Sequence, residues 1–382
     1  MNVLFLTTHL DTGGITSYLL TLSKGMTERG VRVHIASSGG DLADEFSALG
    51  AQFLNLNIRT KSELDPRIYR ALPLLKRYLR QHAIDMIHTQ TRITHVMGAC
   101  LSRLTGRPHV STCHGFYKIR LSRRIFPCWG NAVIAISAAV QTHLREDFRV
   151  PDDRIALIPS GIDIRMFTPV SVELKAQLRR KYNLGGEPVI GSIARLADVK
   201  GHDILIAAMK NILAQMPDVK LIIAGEGKME GALRSMVKTL GLERNIFFYP
   251  VTCKPATILP MLDLFVLPSR EEGLGLSIME AQAAGVPVVA SRVGGIPSLI
   301  EDGRTGFLIE PGNPAVLAQT IITVLRDKNR LAQIGKAGRN FVRDQCSADT
   351  MVEKTLTLYK SRGRFACFGR QAKENRPTKI IL

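Results

Sequence analysis

The sequence predicts an α/β protein built from two doubly wound domains. Three observations lead there: the length, the alternation of strand and helix patterns, and a restart of that alternation midway. At 382 residues the chain exceeds one small core, and at roughly 100–200 residues per domain it suits two. Short β-branched runs alternate with segments of helical period, the signature of a parallel sheet with crossover helices. The second half then opens again on a strand and a glycine-bearing loop.

In order, "VLFLTT" reads as the first strand and "GGITSYLLTLSKGMTERG" as a helix closed by Gly30. "VRVHIAS", "FLNLNI", "DMIHTQ", "HVSTCH" and "NAVIAIS" follow as strands, separated by helical segments such as Pro66 to Gln81. "RIALIPSGIDIRMFTP" leads to a charged helical segment, "VELKAQLRRKY", and a turn, "NLGGEP". "VIGSIARL", "VKLIIAGEG", "IFFYPV", "LFVLPS", "VPVVAS" and "TGFLIEPG" are the strand candidates of the second series. The expected division is 1–168, a linker over 169–187, a second domain over 188–345, and a C-terminal helix and basic tail over 346–382 that returns toward the first domain. Ligands of such sheets bind beyond the carboxyl ends of the strands, so two facing domains imply a cleft. The tail from Ser361 lacks clear periodicity, and Phe365, Phe368 and "KIIL" could touch a surface.

Composition is that of a globular protein, with 45% hydrophobic and 22% charged residues. The net charge of +18 favours an acidic partner such as nucleic acid, anionic lipid or a phosphorylated substrate. Cys100, Cys113, Cys128, Cys253, Cys346 and Cys367 are scattered without a C-x-x-C pair, which argues against a zinc knuckle or disulfide framework and suits a reducing cytoplasm. The N-terminus lacks a basic leader and cleavage site, so no signal peptide is expected. No apolar run reaches the roughly 20 residues of a membrane span.

Three segments carry chemistry. In "DTGGITSY", Gly13 and Gly14 open a turn where amides at a helix start can meet an anion or a sugar; a plain turn is the alternative. In "SIARLADVKGHDIL", Arg195 and Lys200 follow a strand beside a helix start, a pairing that suits a pyrophosphate. In "PSREEGLGLSIMEAQAAGVP", the amides of Gly275, Leu276 and Ser277 are offered to an anion. Glu280 falls in the first turn or so of a helix, where an acid complements the dipole. A carboxylate accepts only, and with two oxygens it can take two vicinal hydroxyls of a ribose or a hexose.

At Glu272 and Glu280 the chain resembles the E-x7-E motif of retaining GT-B glycosyltransferases, family 4. "DTGGI", "STCHG", "IPSGID", "IARLADVKG" and "GIPSLIEDGRTGFLIEPG" resemble further family segments in the same order, over nearly the whole chain. The resemblance implies the GT-B fold: two facing Rossmann-like domains with an interdomain cleft. It implies that Arg195 and Lys200 hold the donor diphosphate, Glu280 the ribose, and Glu272 the transferred sugar. Gly275 to Ser277 add phosphate contacts, His114 lies near the transferred sugar, and Gly14 approaches the diphosphate. Ser160 stands where the family usually has Asn. Pro250 stands where glycine is common, beside the base pocket expected around Val251, and leaves the base open. Between Glu271 and Glu272, spacing favours Glu272.

There is no D-x-D, so no metal and no other obligatory cofactor is expected, with Arg195, Lys200 and helix dipoles doing the electrostatic work. Retention is expected through same-face attack, the departing phosphate taking the acceptor's proton. From Arg59 to Asn131 fourteen basic residues face three acids, a net of +11, interleaved with Phe116, Tyr117, Leu121, Phe126 and Trp129. That mixture suits an anionic membrane surface; a solvated basic face is the plain alternative, and no motif indicates nucleic acid. The expectation is a cytoplasmic enzyme, peripheral on the inner face of the membrane. It transfers a hexose or N-acetylhexosamine from a nucleotide sugar to a lipid-linked glycan, in lipopolysaccharide or polysaccharide biosynthesis. A sugar-nucleotide epimerase on the same architecture is the alternative, and a non-catalytic binder of nucleotide sugar or nucleic acid a third.

Overall fold

The computed structural model describes residues 1–250 and 254–374. Val251 and the last residues of the expected tail lie outside the described residues. The chain divides into two compact units: Met1–Gly161 together with the chain from Ala348 onward, and Ile162–Ser347.

Among the described residues unit 1 holds seven parallel strands: β1 (Asn2–Leu6), β2 (Arg32–Ser37), β3 (Gln52–Asn55), β4 (Met86–Thr89), β5 (His109–Cys113), β6 (Ala132–Ala135) and β7 (Ile155–Leu157). Their order is β3-β2-β1-β4-β5-β6-β7. Side chains alternate across a strand, and β1 shows both faces buried. Val3 and Phe5 pack with Tyr18, Leu22 and Met26 of the helix Gly14–Thr27. Leu4 and Leu6 pack with Leu75 and Leu79 of the helix Leu72–Gln81 and with Met97 and Leu101 of Arg92–Thr105. Burial on both faces is why these strands read as continuous apolar runs.

The helix Ala348–Glu374 packs onto the same unit through Met351, Val352 and Tyr359. Each such apolar side chain, fully buried, contributes about 1.5–3 kcal/mol. The approach is close: a Cβ on Gly25 would lie 2.7 Å from Val352 Cγ2. The helix runs past Ser361, where apolar periodicity gives out, because Arg, Ala, Gln and Lys sustain a helix without an apolar stripe. The expected single helix from Pro66 to Gln81 is two, Pro66–Arg70 and Leu72–Gln81, with Pro73 in the first turn of the second.

Unit 2 holds six described parallel strands: β8 (Val189–Ile193), β9 (Lys220–Ala224), β10 (Ile246–Tyr249), β11 (Leu264–Leu267), β12 (Val288–Ser291) and β13 (Phe307–Ile309), ordered β10-β9-β8-β11-β12-β13. It begins at Ile162, whose N–H donates to the Cys346 carbonyl at 3.0 Å. The segment 169–187, expected as a linker, is part of this unit. Its helix Val172–Lys181 is held by charge: Lys175 Nζ lies 2.8 Å from Asp263 Oδ1 and Arg179 Nη2 lies 2.6 Å from Asp263 Oδ2. Burial would raise the Asp263 carboxyl, but Lys175, Arg179 and the Val189 N–H hold it below its ordinary value. No helix of the described residues is long and apolar enough to cross a membrane.

Candidate active site

Where strand order reverses in a doubly wound sheet, a crevice opens beyond the carboxyl ends of the two central strands. In unit 2 these are β8 and β11. The loop after β8 carries Arg195 and Lys200, and the loop after β11 carries Glu272 and enters the helix Leu276–Ala283.

The two loops are locked at backbone level. Gly201 has φ +68, and a Cβ there would sit 2.0 Å from the Pro268 carbonyl oxygen. The amides of Arg270 and Glu271 donate to the Val199 carbonyl at 2.8 and 3.3 Å. Lys200 Nζ thereby lies 2.5 Å from Glu272 Oε2, both side chains largely buried. Glu271 is exposed while Glu272 is half-buried and paired, so the carboxylate facing Lys200 is the one that spacing selected. Arg195 is exposed and has no side-chain partner among the described residues. Gly225 and Gly227, after β9, support this loop: a Cβ on either would strike the carbonyl oxygen of Ala194 or Leu196 at 2.1 or 2.2 Å.

Gly275, at φ +104, caps the helix Leu276–Ala283 without any side-chain cap. The amides of Leu276 and Ser277 lie in the first turn, which has no preceding turn to accept them. Glu280 is not in that turn: the helix starts at Leu276 and holds no acid in its first turn. The dipole contact expected for Glu280 is therefore absent, since that effect fades within one turn. Its carboxyl is half-buried, has no protein partner among the described residues, and is pushed up to about 7 by burial.

Unit 1 reverses between β1 and β4. The loop after β1 carries Gly13 and Gly14, both exposed. Gly13 is extended, with φ 164, and a Cβ there would meet nothing within 4 Å. His114 follows β5, with Nε2 2.8 Å from Gln90 Oε1 and its ring edge-on to Tyr18 at 4.8 Å. Burial pushes the imidazole down to about 3, so it acts as a neutral donor and acceptor. Gln90 is fully buried and its amide nitrogen has no partner among the described residues.

The structure thus brings Lys200 and Glu272 into contact and sets Glu280 and the 275–277 amides on the helix that follows. Gly13, Gly14 and His114 belong to the other unit. Sequence reasoning missed Arg270, Asp203, Gln90, Gly225 and Gly227; the two glycines of "AGEG" after a strand were the available signal.

The family model described as "Glycosyl transferases group 1" matches residues 175–341, and "Glycosyltransferase Family 4" matches residues 12–165. A GDP-mannose-dependent alpha-(1-6)-phosphatidylinositol monomannoside mannosyltransferase of Mycolicibacterium smegmatis is 30% identical over 75% of this chain and 79% of that protein. The N-acetyl-alpha-D-glucosaminyl L-malate synthase of Bacillus anthracis is 26% identical over 93% and 95%. The Anabaena protein HepE, solved with UDP-glucose, superposes with a TM-score of 0.84 at 24% identity over 94% of this chain and 100% of that one. The chain belongs to the family 4-like glycosyltransferases and has their two-domain GT-B fold.

Proposed function

We propose that the chain moves a hexose or N-acetylhexosamine from a nucleotide-diphosphate sugar to a lipid-linked glycan, with retention of anomeric configuration. The carrying observation is the contact of Lys200 with Glu272 at the strand-order reversal of unit 2. A cation for the diphosphate and an acceptor for sugar hydroxyls stand side by side there. Arg195 and the 275–277 amides add diphosphate contacts, and Glu280, a carboxyl without a partner, takes the ribose hydroxyls. His114 is assigned to hydroxyls of the transferred sugar, Gly13 leaves room for a ligand, and Gly14 is assigned to the donor diphosphate. These groups supply the electrostatic stabilisation of the departing phosphate without an obligatory metal. Attack comes from the same face, and the departing phosphate oxygen takes the acceptor's proton. The Mycolicibacterium smegmatis relative is named for a nucleotide-sugar donor and a phosphatidylinositol-linked acceptor, which supports both halves of this reading.

A membrane-borne acceptor also suits unit 1. Glu63 accepts from Arg92 at 2.8 Å and from Arg123 at 3.4 Å, and the Tyr69 hydroxyl donates to the Glu63 carbonyl at 3.0 Å. Arg92 further donates to the carbonyls of Phe126 and Pro127. The exposed Leu64, Tyr69, Ile125 and Phe126 thus belong to two segments, each with a short helix (Pro66–Arg70 and Leu121–Ile125), tied together within the basic segment. An apolar tip among cations fits an anionic bilayer surface at the inner face of the membrane.

Thermal shift with UDP-glucose, UDP-N-acetylglucosamine and GDP-mannose identifies the donor, since a ligand selective for the folded state raises Tm. Product analysis then shows transfer to an acceptor with the anomeric configuration kept. Release of free epimerised donor would support the epimerase alternative and sink the proposal. Loss of turnover in EDTA would remove the metal-free assignment.

A further inference from the structure

The contact between Lys200 and Glu272 needs two loops held in register, and one side chain outside the assigned site spans them. Arg270 lies two residues before Glu272. Its Nη1 donates to the Asp198 carbonyl at 2.8 Å and to Asp203 Oδ1 at 2.8 Å, and its Nη2 donates to Asp203 Oδ2 at 2.6 Å. Its own N–H donates to the Val199 carbonyl at 2.8 Å. One residue therefore binds the first two residues of the 198–200 turn and the first turn of the helix His202–Gln215. The Asp203 carboxyl is held below its ordinary value, first by the Arg270 hydrogen bond.

We propose that Arg270 is a positioning residue: with Asp203 as its anchor, it sets the place of Lys200 relative to Glu272. The proposal rests on the assignment of Lys200 to the diphosphate and Glu272 to the transferred sugar. Neither ligand part is assigned to Arg270, whose side chain bonds to Asp198 and Asp203. A planar fork matched to a carboxylate fixes direction as well as distance, which a lysine cannot do. The pair is about a third exposed, 37% for Arg270 and 35% for Asp203, and an exposed pair adds little to stability. Its effect is therefore expected on ligand geometry and not on folding, where misplacements near 1 Å cost about 100-fold in rate.

The test uses the full chain and two probe pairs, UDP-glucose against UDP and GDP-mannose against GDP. The readout is how much the sugar improves affinity over the bare nucleotide. In Arg270→Ala this gain falls about 10-fold or more, the apo Tm stays near wild type, and methylguanidinium restores part of the loss. Asp203→Asn shows the same signature more weakly, and the double variant is no worse than Arg270→Ala, as expected for two residues of one unit. Arg270→Lys recovers less than half of the gain. An unchanged gain in Arg270→Ala overturns the proposal. So does an equal loss for nucleotide and nucleotide sugar together with a lowered Tm, which marks a purely structural role. Failure of wild-type protein to bind either sugar overturns the donor assignment first, and this proposal with it.

Discussion

Lys200 and Glu272 are ion-paired at 2.5 Å between two loops that leave neighbouring strands of the same sheet. The pair is satisfied without ligand, so under the proposed assignment a donor is expected to divide it, the ammonium turning to phosphate oxygens and the carboxylate to sugar hydroxyls. A bare nucleotide diphosphate needs only the first half. Glu272→Gln frees the ammonium, so UDP or GDP affinity is expected to hold or rise while turnover falls by about 100-fold or more. Lys200→Ala leaves a largely buried carboxylate unpaired and weakens nucleotide binding by about 10–100-fold. Calorimetry on both variants checks the pair; weaker nucleotide binding by Glu272→Gln would contradict this division of labour.

With Glu280 on the ribose, donor binding is expected to depend on pH. Its carboxyl is pushed up to about 7 in the free protein, so near neutrality much of it is protonated. Hydroxyls that donate to the carboxylate favour the ionised form and lower its pKa. The free protein then holds more proton than the complex, and binding releases it. Affinity therefore rises as pH increases toward about 7 and levels off above it. Glu280→Gln has no proton to release and gives a flat profile. Isothermal titration in buffers of different ionisation enthalpy counts the released proton, and zero release below pH 7 would remove Glu280 from the ribose.

What the sequence showed and what it hid follow from the range of the interactions. The strands and their parallel, doubly wound class were legible because short apolar runs such as "VLFLTT" signal a strand locally. Lys200 and Glu272 were legible as types at fixed spacing within their own segments. Their contact was not, because it depends on Gly201 meeting the Pro268 carbonyl, 67 positions further along. Arg270 was missed for the same reason: its partners Asp198 and Asp203 lie far back in the sequence. Within 169–187 the helix was legible from "VELKAQLRRKY", but its attachment to unit 2 was not, because Lys175 and Arg179 anchor it on Asp263, far along the chain. An apolar period cannot signal a charge-held attachment.

Unit 1 is expected to be the acid-sensitive half. Eight of the nine histidines precede Ile162, and only His202 falls in unit 2. Burial lowers His34 to about 4 and His109 and His114 to about 3, and takes His88 and His95 well below the ordinary value. His88 is fixed between Tyr359 and Thr112 at 2.5 and 2.7 Å. The unfolded chain takes up protons near pH 6.5, whereas these folded sites do not until the pH is far lower. Stability is therefore fully present above about pH 6.5 and is lost progressively below it, with several protons involved. Trp129 is the single tryptophan, is 4% exposed and lies in unit 1, so its fluorescence reports that unit alone. Its Tm should fall steeply between about pH 6.5 and 4. A Trp129 transition that does not move with pH over that range would contradict the neutral assignment of these histidines.

The exposed apolar tip of unit 1 should govern attachment to lipid. Leu64 is 81% and Phe126 64% exposed, and both sit beside the Glu63 junction with Arg92 and Arg123. Burial of the Glu63 charge among two guanidiniums leaves the other basic side chains of the segment to meet an anionic surface. Wild-type protein is expected to float with mixed phosphatidylcholine–phosphatidylglycerol vesicles more than with pure phosphatidylcholine, and to be released by salt. Leu64→Asp with Phe126→Asp removes apolar contact and adds two repelling charges, so vesicle binding should fall by about 10-fold or more. The emission of Trp129 and the affinity for nucleotide in unit 2 serve as controls, since neither substitution touches a buried side chain. Equal flotation with both vesicle types, or unchanged flotation of the double variant, would return this surface to a solvated basic face.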